Sequence, residues 1–168
     1  MNEPKAKRLT SPGYGFENVA QPGQALPWEQ VSKLIAEARN YWLVTATKQG
    51  RPHAAPVWAI WDDGRLLFST SRTSRKGINI EANPRVVVHL DHDQAAVILD
   101  GIAERVTDQE AIDRFARATD EKYDWDGDMN ELLADPNNAV YVVHPHIAFT
   151  YEENLGETAT RWEFPPTA

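Results

Sequence analysis

Between Phe68 and Leu90 the chain reads FSTSRTSRKGINIEANPRVVVHL, and the residue types in it converge on one kind of chemistry, the holding of an anion. Ser69, Thr70, Ser71, Thr73 and Ser74 supply hydroxyls, and Arg72, Arg75 and Lys76 supply cations. A strand runs into this turn, and Ser-Arg-Lys opens a short helix that Asn83-Pro84 closes. A helix start carries unpaired backbone N–H groups and the positive end of the helix dipole, so a phosphate dianion there would meet amides, hydroxyls and cations together. The alternative for the same residues is an ordinary surface helix capped by Ser74 with its basic side chains solvated.

Any anion site must be local, because the chain as a whole repels anions. Its 25 acidic residues against 17 basic ones leave a formal charge of −8. That balance disfavours general attraction to nucleic acid or to an anionic membrane surface, and no basic face interleaved with aromatics offsets it. Zero cysteines remove disulfides, thiolate metal sites and cysteine nucleophiles together. No stretch approaches the ~20 apolar residues that span a bilayer, and the N-terminus has no apolar leader core. The expectation is a cytoplasmic protein without membrane or nucleic-acid partners.

The elements that must position the anion turn follow from period and punctuation. With 168 residues and 42% hydrophobic content there is material for one core. Residues 1–26, rich in Pro, Gly and polar types, read as an extended arm, and 27–168 as a single domain. Pro27 suits a first helical position, and Val31, Leu34, Ile35 and Ala38 mark a short amphipathic helix placed to cover a barrel end. Strands are predicted over 41–47, 52–61 and 65–70, joined by turns at Lys48-Gln49-Gly50 and Asp62-Asp63-Gly64. Arg85 to Asp91 and Ala95 to Val106 form a further pair around His92-Asp93-Gln94, with Gly101 marking a bend or bulge. Helical period returns over DQEAIDRFARATDEKYDW, with Ile112, Phe115, Ala116 and Thr119 on one face. AVYVVHP, HIAFTY and ATRWEF complete the strands. The sum is a mainly β protein, an antiparallel barrel of six to seven strands with peripheral helices.

Other constellations have simpler explanations. His89, Asp91 and His92 could ligate a metal, but alternation separates His92 from the other two, and a solvated hairpin tip accounts for them. Asp124, Asp126 and Asp128 lack the glycine and closing glutamate of a calcium loop and read as an acidic loop. Gly13-Tyr14-Gly15 follows no strand and is no dinucleotide motif. His144-Pro145-His146 reads as a turn. No metal site is expected. Trp42, Trp58 and Trp61 fall in strands, where packing explains them.

From Tyr41 to about Val106 the chain resembles the FMN-binding split barrel of the pyridoxamine 5'-phosphate oxidase family, in particular its flavin and deazaflavin oxidoreductase branch. The matching pieces are Gly50-Arg51-Pro52-His53, Pro56-Val57-Trp58, Asp62-Asp63-Gly64, Phe68-Ser69-Thr70, Ser74-Arg75-Lys76 with Asn79, and Asn83-Pro84-Arg85-Val86. The resemblance implies that Arg75 and Lys76 grip the cofactor phosphate beside the hydroxyls of Ser69, Thr70 and Ser74. It implies that Asn79 faces the ribityl chain, and that Pro56, Val57 and Trp58 lie against the ring. It also implies a homodimer whose interface builds the site, with an apolar strand face buried between protomers.

Where phosphate oxidases proper have arginine at the start and lysine at the end of the ring-binding strand, this chain has His53 and Trp58. Their C-terminal Arg-x-His motif is replaced by Thr160-Arg161-Trp162-Glu163-Phe164, which argues against oxidation of pyridoxamine phosphate itself. The Pro-Val-Trp strand resembles members that use the deazaflavin F420, so the cofactor implied is F420 or FMN, with F420 preferred. The activity implied is hydride transfer to or from a small conjugated substrate, and no catalytic residue is assigned. His53 and Tyr41 are weighed as proton donors against structural roles. Arg161 and Trp162 are weighed as cofactor or pocket residues against packing at the barrel edge. The alternative function is a binding or carrier protein for flavin, F420 or haem, without turnover.

Overall fold

Alternation along one strand sets the inside and outside of the barrel. In β2 (Tyr41–Ala46) Tyr41, Leu43 and Thr45 are buried while Trp42 between them stands out into solvent. The computed structural model describes residues 3–8, 26–92, 95–152 and 158–165, and every statement here concerns those. Gly13-Tyr14-Gly15, most of the expected arm and the tip Asp93-Gln94 lie outside them.

Eight further strands join β2: β1 (Lys5–Arg8), β3 (Pro52–Val57), β4 (Ala59–Asp62), β5 (Arg65–Ser71), β6 (Arg85–His92), β7 (Ala95–Arg105), β8 (Asn138–Glu152) and β9 (Thr160–Glu163). All pairings are antiparallel, in the order β1-β9-β8-β7-β6-β2-β3, with β5 pairing both β4 and β8. The sheet forks at β8, whose first half pairs with β5 and whose second half pairs with β9. One side of the sheet encloses a cluster that includes Tyr41, Leu43, Phe68, Val88, Leu99 and Trp162, all nearly or fully buried. Helix α1 (Trp28–Glu37) inserts Val31 and Ile35 into that cluster. Helices α3 (Gln109–Tyr123) and α4 (Met129–Leu133) cover the outside of β5 and β8 through Phe115, Ala116 and Met129 against Leu67 and Val140.

The mainly β antiparallel architecture is the expected one, and nine strands stand where six to seven were expected, with two local features adding strands and one joining two expected strands into one. Part of the expected arm, Lys5–Arg8, pairs with β9 and extends the sheet. The expected strand over 52–61 breaks at Trp58 into β3 and β4. In the other direction, His144-Pro145-His146 is not a turn: β8 runs straight through it for 15 residues. Proline lacks the N–H that a regular ladder needs, and the ladder accommodates it with a register shift where Gly101 pairs Pro145 and Asp100 pairs Ile147. Gly101 is required at this bulge, since a Cβ there would stand 2.5 Å from the His144 carbonyl oxygen.

Candidate functional site

Strand β5 runs into a hydroxyl-rich turn and a capped helix, as the residue types suggest. Helix α2 (Arg75–Ala82) is capped by Ser74, whose Oγ accepts from the Gly77 N–H at 3.1 Å and lies 3.1 Å from Thr70 Oγ1. Ser71 Oγ accepts from the Thr73 N–H at 3.2 Å, so the hydroxyls tie the turn together as well as lining it. Turn and helix touch because residue 77 is glycine: a Cβ would sit 2.4 Å from the Ser71 carbonyl oxygen. Arg72 turns away to the Glu81 carboxylate at 3.4 Å, which takes it out of the group of convergent cations. Asn79 is 2% exposed and donates to Thr45 Oγ1 at 3.0 Å, pinning α2 to β2.

Arg75 and Lys76 are neighbours in sequence but, about 100° apart around the helix, they enter different cavities. The first, about 330 Å³, is polar: His53 comes from the start of β3, Thr47 and Arg51 from the turn before it, and Arg75 and Asn79 from one face of α2. The second, about 410 Å³, is aromatic and apolar: Pro56, Val57 and Trp58 from the end of β3 face Phe115, Trp125 and Met129 of the α3–α4 segment. Ser69 and Lys76 also line it, and Ser69 Oγ lies 3.7 Å from Met129 Sδ. His53 and Trp58, one at each cavity, are about 16 Å apart along the extended chain at ~3.3 Å per residue.

Trp58 is aimed by a polar knot behind it. Both backbone groups of Ala59 are held by side-chain atoms: its N–H donates to Tyr123 Oη at 2.8 Å, and its carbonyl accepts from Tyr123 Oη at 3.0 Å and from Lys122 Nζ at 3.1 Å. The Trp58 ring then stacks on Tyr123 at 4.5 Å and meets Trp125 edge-on at 5.7 Å. Lys122 Nζ also donates to Tyr41 Oη at 2.9 Å and lies over both tyrosine rings, and burial pulls its pKa down to about 8. Burial raises the pKa of the Tyr41 and Tyr123 hydroxyls. Tyr41 is fully buried and its hydroxyl donates to the Ile35 carbonyl, so it is a core residue and not a proton donor to a ligand.

Arg161 and Trp162 line neither cavity of their own chain. Trp162 is 5% exposed, its ring tilted against Trp28 at 5.2 Å with its Nε1–H donating to Thr150 Oγ1, and belongs to the core. Arg161 points the other way, to the outer face of the sheet, where it pairs with Glu163 at 2.6 Å. The acidic loop is structural: Asp128 caps α4, and Asp120 accepts from Trp125 Nε1 and from the Met129 N–H. No group of three or more metal-capable side chains occurs among the described residues, and no helix there is long and apolar enough to cross a membrane. The α3–α4 wall of the aromatic cavity escaped the sequence reading. Helical period marks Phe115 and Thr119 as buried without saying what they face.

The sequence profile of the family described as pyridoxamine 5'-phosphate oxidase matches residues 27–151, and the chain belongs to that family. A pyridoxine/pyridoxamine 5'-phosphate oxidase of Bordetella pertussis is 30% identical over 90 residues, which cover 52% of this chain and 43% of that enzyme. The match thus spans less than half of the curated relative. Among solved structures, the conserved hypothetical protein Rv2991 of Mycobacterium tuberculosis superposes with a TM-score of 0.67 at 21% identity, over 89% of this chain and 95% of that one. A protein described as an F420 reductase gives 0.57 at 20%, over 76% and 98%. HutZ, a haem storage protein of Vibrio cholerae, gives 0.60 at 17%, over 70% and 88%. These likenesses establish the split-barrel fold.

Proposed function

We propose that this chain is a cytoplasmic oxidoreductase that binds F420 or FMN, with F420 preferred, and passes hydride to or from a small conjugated substrate. One observation carries the proposal: a polar, cationic cavity and an aromatic cavity lie along a single strand, β3, on either side of a hydroxyl-rich helix start. That arrangement fits a cofactor with an anionic end and a flat ring at the other. The capped α2 terminus, Arg51 and Arg75 would hold the phosphate, Asn79 would lie beside the linking chain, and the β3 segment ending at Trp58 would lie against the ring. The bound ring supplies the hydride chemistry. The protein's part is to orient it, exclude water with Trp58, Trp125 and Phe115, and admit the substrate.

The proposal includes a homodimer. Across the outside of the sheet the register lines up Pro56, Trp42, His89, Ile98, Phe149 and Arg161 in one row. Beside it run Ala54, Val44 and Val87. Trp42, second in this row from the β3 edge, is 46% exposed. A second copy covering it would bury the tryptophan and bring Arg161 to the neighbourhood of the partner's site.

The test is turnover. Bound reduced cofactor mixed with a panel of enones and quinones should be reoxidised by at least one of them. Tight retention with no reoxidation by any acceptor would instead indicate a carrier, a role the likeness to a haem storage protein keeps in view.

A further inference from the structure

Short side chains at two positions of α3 leave a third cavity open beneath the helix. Ala111, Phe115 and Ala118 form one stripe, four and three residues apart, and of the three Phe115 alone packs into the cluster on Leu67 and Val140. Opposite the alanines, the cross-strand row Ile60, Leu67, Val142 and Glu104 floors a cavity of about 600 Å³. Protein interiors are otherwise close-packed, and larger residues at 111 and 118 would close the gap. Its volume lies within the roughly 300–1,000 Å³ of small-molecule sites. It shares no lining residue with the polar cavity and only Phe115 with the aromatic one, and the outer row through Trp42 contributes nothing to it.

The charged groups around that floor are unequally committed. Arg114 pairs with Glu110 at 3.0 Å, Asp108 caps α3 through the Ala111 N–H at 2.9 Å, and Glu104 stands 3.7 Å from His144 Nε2. Asp62 and Glu121 are exposed, as are Arg105 and Arg117, which make no ion pair among the described residues. Arg65 is the least satisfied. It is half-buried, its ion pair to Asp63 is 4.0 Å long, and its Nε is buried without a hydrogen-bond partner. Beside it, one step past the Leu66–Val143 pair, His144 Nδ1 is buried and unpartnered too. Buried polar atoms are nearly always bonded, so a guanidinium drawn out of water with so little to answer it calls for an acceptor.

We propose that this cavity binds a small organic carboxylate, with the anion on the Arg65 guanidinium and the apolar body against Leu67, Val142 and Phe115. A planar guanidinium matches a carboxylate fork to fork. The acidic side chains nearby, Glu104 and Asp108 among them, would repel a phosphate dianion more strongly than a single negative charge. The site does not depend on a cofactor in the cavities along β3.

Calorimetric titration of the purified protein with octanoate, octanol and acetate tests the charge and the body separately. Octanoate should bind, octanol about tenfold more weakly for want of the charge-assisted hydrogen bond, and acetate more weakly than octanoate for want of a body. Arg65→Gln should bring octanoate down to the affinity of octanol. Ala118→Leu, which fills the gap with a good helix former, should abolish octanoate binding while the protein stays folded by thermal unfolding. Should the leucine variant not fold, Arg65→Gln decides by itself. A wild type that does not bind octanoate, or binds it no more tightly than octanol, overturns the proposal. So does octanoate binding that Arg65→Gln leaves unchanged, since the carboxylate would then sit on other cations.

Discussion

Lys122 ties three distant parts of the chain together with one amine. Its partners, the Tyr41 hydroxyl and the Ala59 carbonyl, lie 81 and 63 residues away in sequence, and none of them is a carboxylate. A lysine without an anion, partly removed from water, releases its proton more easily, which is why its pKa falls to about 8 from the usual 10.5. The folded state therefore holds fewer protons than the unfolded state between pH 8 and 10, and stability attributable to Lys122 rises with pH across that window. Chemical denaturation of wild type and Lys122→Met at a series of pH values should show wild type gaining on the variant from pH 8 to about 9, below the range where ordinary tyrosines ionise. A constant difference would mean that the lysine titrates as an ordinary surface group. Nothing in the sequence announces this residue. Lys122 looks like one more cation on a charged helix, because burial by tyrosines from other elements leaves no local pattern.

Helix α2 is legible as an element because its cues are local. Ser74 before Arg75 and Asn83-Pro84 at the end state a capped start and a stop within one short window, and the structure follows them. The prediction at this scale concerns Gly77. A methyl group there would stand 2.4 Å from the Ser71 carbonyl oxygen and 2.9 Å from the Arg72 Cα, both backbone atoms that can yield only if the turn moves off the helix. Gly77→Ala should cost about 1–3 kcal/mol in thermal unfolding, despite alanine's better helix propensity, and should weaken cofactor binding by opening the anion turn. A neutral or stabilising effect would show that the contact is not tight. Where cues are not local, the sequence misled. A proline between two histidines at 144–146 looks like a turn, and only pairing with the bulge at Gly101 keeps it within β8. Trp58 sits in an apolar run that reads as an unbroken strand, and the break there comes from Tyr123 and Lys122 taking the backbone groups of Ala59. Five residues at α4 were likewise lost inside an acidic loop, since Asp128 is a cap and not a ligand.

At the scale of the whole molecule, the outer row through Trp42, Ile98 and Phe149 is more apolar than a lone solvated sheet face requires. Light scattering should give twice the chain mass of 18.9 kDa. Trp42→Glu, which places a charge within the row without touching the core, should shift the protein to monomer and weaken cofactor binding together. A wild-type monomer would remove the partner's share in the site. The cavities themselves belong to one chain, and the central claim rests on them. The most direct test is a fluorescence titration of the purified protein with F420 and, separately, with FMN. Binding of at least one at micromolar concentration or tighter, weakened about tenfold or more in the Arg75→Gln protein, is what two cavities along β3 predict. Binding of neither would contradict the account and leave a split barrel without this cofactor.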